Sequence, residues 1–307
     1  MLKALLRGLL DAPAGLPARL LMGVIWAQKQ SKLLARWSEA SHFLPLDIRE
    51  LSKRISSKKY LFILASGESV EALSSKDFEM MSRHTTIGVN AWPLHPFVPD
   101  YYAFEPFDPE SRDYVQLFTS VLSQQRFKVN TPGLLLFRPH SDLDLSRYSL
   151  IPEHFRPRAS LYSRFVPVTR KRKTLGREIK GLHEAQELGL LGKSNVMDLG
   201  ATVIRMISLG YILGFQNVVL VGADLNGGRY FWEANGDHLS RNGLTSFSPG
   251  FSRPIHETMT RANKAFVMSE VVEEFSEIFH NEGRKLYVAS PSSLLSTFLP
   301  VFRWSVE

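Results

Sequence analysis

The chain has 307 residues, 44% of them hydrophobic, enough to bury one large core or a core with a small appendage. It contains no cysteine, which excludes a disulfide scaffold and thiolate metal sites and suits a reducing compartment. Its formal net charge of +7 favours an anionic partner: a nucleotide sugar, an acidic glycan, a lipid surface or nucleic acid.

The first fifty or so residues differ in character from the rest. Met1 to Leu10 and Leu20 to Trp37 read as helices, separated by the breaker stretch Ala12 to Pro17, and carry Lys3, Arg7, Arg19, Lys29, Lys32 and Arg36 against the single acid Asp11. Neither apolar run reaches the roughly 20 residues needed to span a bilayer, and no small-residue cleavage pattern marks a secretory signal. We delimit a basic helical N-terminal arm over 1–57. It either lies on a membrane surface or packs on the remaining domain or a second subunit.

Beyond the arm, short apolar runs ending in small or polar residues alternate with helical periodicity. Tyr60 to Ala65 runs into Ser66-Gly67-Glu68-Ser69, Thr85 to Val89 into Asn90, and Tyr101 to Phe104 into Glu105-Pro106. Asn217 to Val221 runs into Gly222-Ala223-Asp224, and Lys285 to Ala289 into Ser290-Pro291-Ser292-Ser293. Between them Ser74 to Arg83, Glu110 to Gln125, Val196 to Leu213 and Thr258 to His280 show apolar spacing of three and four. This alternation predicts an α/β fold: a Rossmann-like, doubly wound, mainly parallel sheet whose strand ends build a nucleotide site. The domain is placed at 58–307, with a lid over 226–255. The basic cluster Arg170 to Lys173 with Arg177 and Lys180 reads as a solvated face or an acidic-ligand contact. Asp142-Leu143-Asp144 has the form of a metal-carrying Asp-x-Asp, but its polar loop setting reads as a solvated turn.

The ordered blocks Phe62 to Ser69, Val89-Asn90, Phe104 to Pro106, Leu213 to Asp224 and Leu286 to Leu295 resemble the bacterial sialyltransferases of glycosyltransferase family 42. They also resemble related nonulosonate transferases and pterin pyrophosphokinase-like proteins. The resemblance covers about residues 58 to 300. It implies a GT-A variant fold, a CMP-sugar donor at the sheet edge and a histidine base working without a metal. On that basis Ser66 and Gly67 form the turn under the nucleotide, where backbone amides can hold phosphate oxygens. Asn90 contacts the donor near its phosphate, Gly222 and Asp224 close the Gly-x-Asp strand, and Thr202 stands where the family has a serine touching the sugar. The carboxylate of Asp224 either accepts from ribose or orders the loop.

The implied reaction is inverting transfer from the donor's anomeric carbon to an acceptor hydroxyl, which needs a base titrating near the working pH. His256, ahead of the last predicted helix, is the candidate, with His238 in the lid as runner-up. Tyr230 replaces the family's two tyrosines at the leaving phosphate, with Arg229, Arg241 or Arg253 as helpers. Glu105 stands where the family has an asparagine near the sugar. An ionised glutamate there would repel a sialic acid carboxylate, which opens the donor to another nonulosonate or Kdo.

The resulting expectation is a metal-independent transferase with no cofactor, moving an acidic sugar from a CMP donor to a bacterial surface glycan or glycolipid. It would work in the cytoplasm or on the inner face of the cytoplasmic membrane. Nucleic acid is not an expected partner, and homo-oligomerisation stays open. Two other classes remain: a nucleotide-dependent pyrophosphokinase, which needs acidic magnesium ligands near the phosphate, and a non-catalytic nucleotide or glycan binder.

Overall fold

The computed structural model describes residues 15–55, 57–104, 115–137, 146, 148–247 and 265–304. Within them nine strands form one sheet in which every pairing is parallel. The strands are β1 (Leu44–Pro45), β2 (Tyr60–Leu64), β3 (Thr85–Val89), β4 (Tyr101–Phe104), β5 (Gly133–Phe137), β6 (Ala159–Phe165), β7 (Asn195–Met197), β8 (Asn217–Val221) and β9 (Lys285–Val288). Their order is 1-6-5-4-3-2-8-9, with β7 also paired to β6.

Both faces of the sheet are covered, which is why its strands are near-continuous apolar runs. Successive side chains alternate: Leu61 and Ile63 of β2 join one core cluster, and Phe62 and Leu64 join the other. Four long helices cover the first face: α1 (Leu16–Ser41), α5 (Arg172–Glu187), α6 (Thr202–Ile212) and α9 (Met268–Asn281). The second face carries an aromatic core, including Trp92, Phe104, Phe118, Phe127 and Trp232. Short elements cover it: α3 (Ser75–Ser82), α4 (Gln125–Val129), α7 (Phe231–Ala234) and α8 (Asp237–Ser240). The remaining helix, α2 (Ile48–Arg54), starts at Asp47, whose side chain accepts from the N–H groups of Arg49 and Glu50.

The five predicted strands and the sheet class are present. Several boundaries differ. Asn195–Met197 is a strand, and the helix expected from Val196 begins only at Thr202, because Asp198, Leu199 and Gly200 turn the chain between them. Of the helix expected over Glu110 to Gln125, residues 115–121 are described and are helical, with π geometry over Leu117–Val121, and a turn separates them from α4. Of the helix expected from Thr258, the described part is α9 from Met268, where Glu270 caps the N–H of Val267. Pro17, read as part of a breaker, occupies the first turn of α1, where its missing N–H has no helical partner to lose.

The N-terminal helix is built into the domain. Arg19, Ala27 and Leu34 of α1 are buried, and Arg19 forms an ion pair with Glu178 of α5 at 3.2 Å, both side chains fully enclosed. Asn195 of β7 donates to the carbonyl of Ala27 and to the hydroxyl of Ser31. No helix among the described residues is long and apolar enough to cross a membrane.

Strand order reverses at β2. The chain runs outward through β3, β4, β5 and β6 on one side and returns to lay β8 on the other. Open parallel sheets form their ligand crevice at the carboxyl ends of the two strands flanking such a reversal.

Candidate active site

β2 leaves the sheet through Ala65, Ser66 and Gly67 into a 3-10 turn, Glu68–Ala72. β8 leaves through Gly222, whose φ of 65° lies in the left-handed region. A Cβ on Gly222 would sit 2.4 Å from the carbonyl oxygen of Ala65, so the two exits can touch only through a glycine. Gly67 donates its N–H to the carbonyl of Gly222 at 2.7 Å, and its own Cβ would fall 2.3 Å from Asp224 Oδ2. Asp224 is buried. Its Oδ2 accepts the N–H of Ser69 at 3.0 Å, and its Oδ1 accepts the hydroxyl of the same serine. Of the two roles left open for this carboxylate, the geometry displays the ordering of the loop.

Tyr230 is brought to the same loop. Its backbone bridges Gly67 in antiparallel fashion, while the carbonyl of Ser66 accepts from Phe231 N–H and that of Arg229 from Glu68 N–H. The half-buried ring stacks on Trp232 with centroids 4.5 Å apart. Burial, and then the charge of Glu233, raises the phenol above its ordinary range, so it stays a neutral hydrogen-bond donor at neutral pH.

Asn90 ends β3, the strand next to β2. It adopts φ 51°, a left-handed conformation that costs a non-glycine residue about 1 kcal/mol or more. Its Oδ1 is buried without a hydrogen-bond partner. A strained backbone presenting an unsatisfied carbonyl at a sheet edge is a common feature of a ligand contact.

Helix α6 lies across β2, β3 and β4, and its N-cap residue Ala201 makes no side-chain cap. N–H groups at a helix start favour anions. The Thr202 hydroxyl accepts from Arg205 at 3.3 Å. Beside it Asp198 pairs with Arg205 at 3.1 Å and with Arg164 at 2.9 Å. Burial alone would raise the Asp198 carboxyl, but Arg205, the Gly200 N–H and Arg164 together hold it below the usual range.

One expectation is corrected. Glu71, His95 and His238 bring three ligand-type atoms within 4.8 Å of one another, the donor set of an open zinc-type site, so a site without any metal capacity does not stand. Glu71 lies on the turn after β2, His95 after β3, and His238 on α8. His238 Nε2 lies 2.6 Å from Glu71 Oε1, and Asn235 donates to the other oxygen of Glu71. The two imidazoles stack at 5.2 Å, and His95 Nδ1 accepts the N–H of Phe97. Burial, and then the neighbouring His238, Arg126 and Arg241, push His95 down to about 3, so it is neutral under ordinary conditions. His238 itself is buried.

The structure therefore brings Ser66, Gly67, Gly222, Asp224 and Tyr230 together where β2 and β8 leave the sheet, with Asn90 at the end of the adjoining strand and Thr202 at the start of α6, beside Arg205. Glu105, His256, Arg253, Asp142, Asp144 and the predicted helix Met1 to Leu10 lie outside the described residues, as does the part of the expected lid beyond Phe247. Glu71, His95, Asp198 and Arg205 were not among the sequence candidates. They are single polar residues in unrelated segments, and no spacing rule links them.

No protein-family profile matches the sequence, and no curated protein matches it. Among solved structures the fold is similar to the sialyltransferase CstII from Campylobacter jejuni with the substrate analogue CMP-3FNeuAc, at 14% identity and a TM-score of 0.43, over 79% of this chain and 86% of that one. It is similar to CstII from Campylobacter jejuni with cytidine-5'-monophosphate at 13% identity and a TM-score of 0.43, over 81% and 87% of the two chains. Similarity also extends to the sialyltransferase CST-II with a trisaccharide acceptor and CMP, at 13% identity and a TM-score of 0.41, over 79% and 86%.

Proposed function

We propose that this protein is a glycosyltransferase that takes an acidic sugar, a sialic acid-like nonulosonate or Kdo, from a CMP donor and passes it with inversion to a hydroxyl of a bacterial surface glycan. The observation that carries the reading is that the described parts of the sequence blocks from Phe62 to Leu295 that resemble the family 42 transferases lie at strands of one parallel sheet with a single reversal of strand order at β2.

The division of labour follows from the chemistry. The Ser66-Gly67 turn and the positive end of the α6 dipole suit phosphate oxygens, and Asn90 offers an unpartnered carbonyl. Tyr230, kept protonated, donates to the leaving phosphate as negative charge develops there. His256 serves as the base that takes the acceptor's proton. Residues 58–307 form the catalytic unit with a lid over 226–255, α1 packs on that unit through Arg19 and Glu178, and the enzyme works in the cytoplasm or on the inner face of the cytoplasmic membrane. A pyrophosphokinase would need free carboxylates for magnesium near the phosphate, whereas both oxygens of Asp224 already hold Ser69.

The test is a thermal-shift panel of nucleotides followed by hydrolysis assays with CMP sugars. CMP at about 100 times its dissociation constant should add roughly 2.7 kcal/mol of stability. His256→Ala should lower transfer by about a hundredfold or more with donor binding retained. Stabilisation by uridine or adenosine nucleotides with none from CMP would refute the donor, and an unimpaired His256→Ala enzyme would refute the base.

A further inference from the structure

Helix α1 turns one face inward and leaves the opposite face without a partner among the described residues. Arg19, Gly23, Ala27 and Leu34 point into the domain, whereas Leu21, Met22 and Ile25 are 60%, 49% and 53% exposed. At 100° per residue these three share a single stripe with Lys29, Lys32 and Arg36, all exposed. The stripe spans about 22 Å, at 1.5 Å per residue from Leu21 to Arg36. Its first half is apolar and its second half cationic, with the acid Glu39 one turn beyond Arg36.

Helix α5 runs alongside in the same direction, since Arg19 meets Glu178 and the later Gly23 abuts Leu182. Its exposed ridge adds Lys173, Arg177 and Lys180, with the acid Glu184 one turn beyond. Arg172 is already paired with Glu273 of α9, so the cationic contribution of α5 is confined to those three.

The division of the stripe selects its occupant. Apolar side chains beside fixed cations match an anionic bilayer surface, where the first enter the acyl boundary and the second remain at the level of the phosphates. A second copy of the chain fits less well. Parallel stripes would oppose like charges, and antiparallel ones would lay the lysines of each copy on the apolar half of the other. We propose that this face of α1, flanked by Lys173, Arg177 and Lys180, docks the protein on an anionic lipid bilayer. The proposal rests on α1 and α5 and is independent of the transfer chemistry.

The test is co-sedimentation of the full chain with phosphatidylcholine vesicles with and without phosphatidylglycerol. The wild type should bind only the anionic vesicles, and less as salt is raised. The triple change Lys29→Glu, Lys32→Glu, Arg36→Glu should weaken binding at least about a hundredfold, since each lost cation is worth roughly fivefold and each new carboxylate adds repulsion. The double change Leu21→Glu, Ile25→Glu should weaken it at least about tenfold. Melting temperature and response to CMP are read on every variant and should stay at the wild-type value. Equal binding to neutral vesicles, no binding by the wild type, or full binding by either variant would overturn the proposal. So would a wild-type dimer that Leu21→Glu, Ile25→Glu splits. Loss of the CMP response in the wild type would count against the transferase reading alone.

Discussion

Asp224 holds Ser69 from 155 positions further along the chain, taking its backbone N–H on one carboxylate oxygen and its hydroxyl on the other. This clamp joins the exits of β2 and β8. Asp224→Ala removes the acceptor for two donors in a closed setting and should cost about 2–4 kcal/mol. Asp224→Asn keeps one acceptor and should cost less. Urea unfolding of both variants measures the difference, and an Asp224→Ala protein as stable as the wild type would show that the clamp contributes nothing.

Stability should fall in acid because of His183. This fully buried imidazole meets Ser208 Oγ through Nε2, and burial, and then the charge of Arg284, push it down to about 3. Its folded pKa lies below the unfolded value of about 6.5, so below that pH the unfolded chain binds a proton that the folded chain refuses. The contribution is complete above about pH 6.5 and is lost as pH drops toward 3, at about 1.4 kcal/mol per pH unit. Denaturant midpoints between about pH 6 and pH 4 should show a shallower slope for His183→Gln than for the wild type. Equal slopes would mean that His183 does not couple folding to protons.

The cluster of Glu71, His95 and His238 should make the melting temperature respond to zinc. Uptake replaces the contact between His238 Nε2 and Glu71 Oε1, so the shift should grow with zinc concentration. A chelator should reverse it, and His238→Ala should abolish it. A zinc shift of equal size in His238→Ala would assign the ion to other residues.

Arg19→Ala strands Glu178 inside the domain. That carboxylate also accepts from the N–H groups of Val168 and Thr169, and burial raises its pKa despite them. Loss of one partner from a buried ion pair costs about 3–5 kcal/mol. Neutralising both ends, as Arg19→Met with Glu178→Gln, should recover most of that loss. Equal stability of Arg19→Ala and the wild type in thermal melts would exclude an integral role for α1.

The sheet was legible because five of its strands end in abrupt changes of chemistry, as when Val219, Leu220 and Val221 give way to Gly222 and Asp224. β6 was not, because Ser160, Ser163 and Arg164 interrupt its apolar pattern, and the partners that absorb them are distant: Ser163 meets Asn195 and Arg164 meets Asp198. The N-terminal helix was legible, but its packing was not. Only the fold reveals that Arg19, which reads as a surface charge, is enclosed against Glu178. At the site, sequence order indicated which segments converge, since strand exits in a parallel sheet lie along one edge. It could not indicate that the oxygens of Asp224 are occupied, or that Glu71 and two histidines meet behind the aromatic layer. Those contacts depend on side-chain directions in three separate loops.

The place of β8 beside β2 also has a consequence for synthesis. β2 leaves the ribosome early, but its neighbour on that side is encoded some 155 residues later. At about 5–20 residues per second the open edge waits roughly ten to thirty seconds for its partner. During that interval Tyr60–Leu64 is an apolar strand with unpaired backbone groups, the kind of segment that captures foreign strands. Efficient production of this protein therefore depends on what shields that edge while the chain is still growing, such as a holding chaperone or the cooler temperatures that slow aggregation.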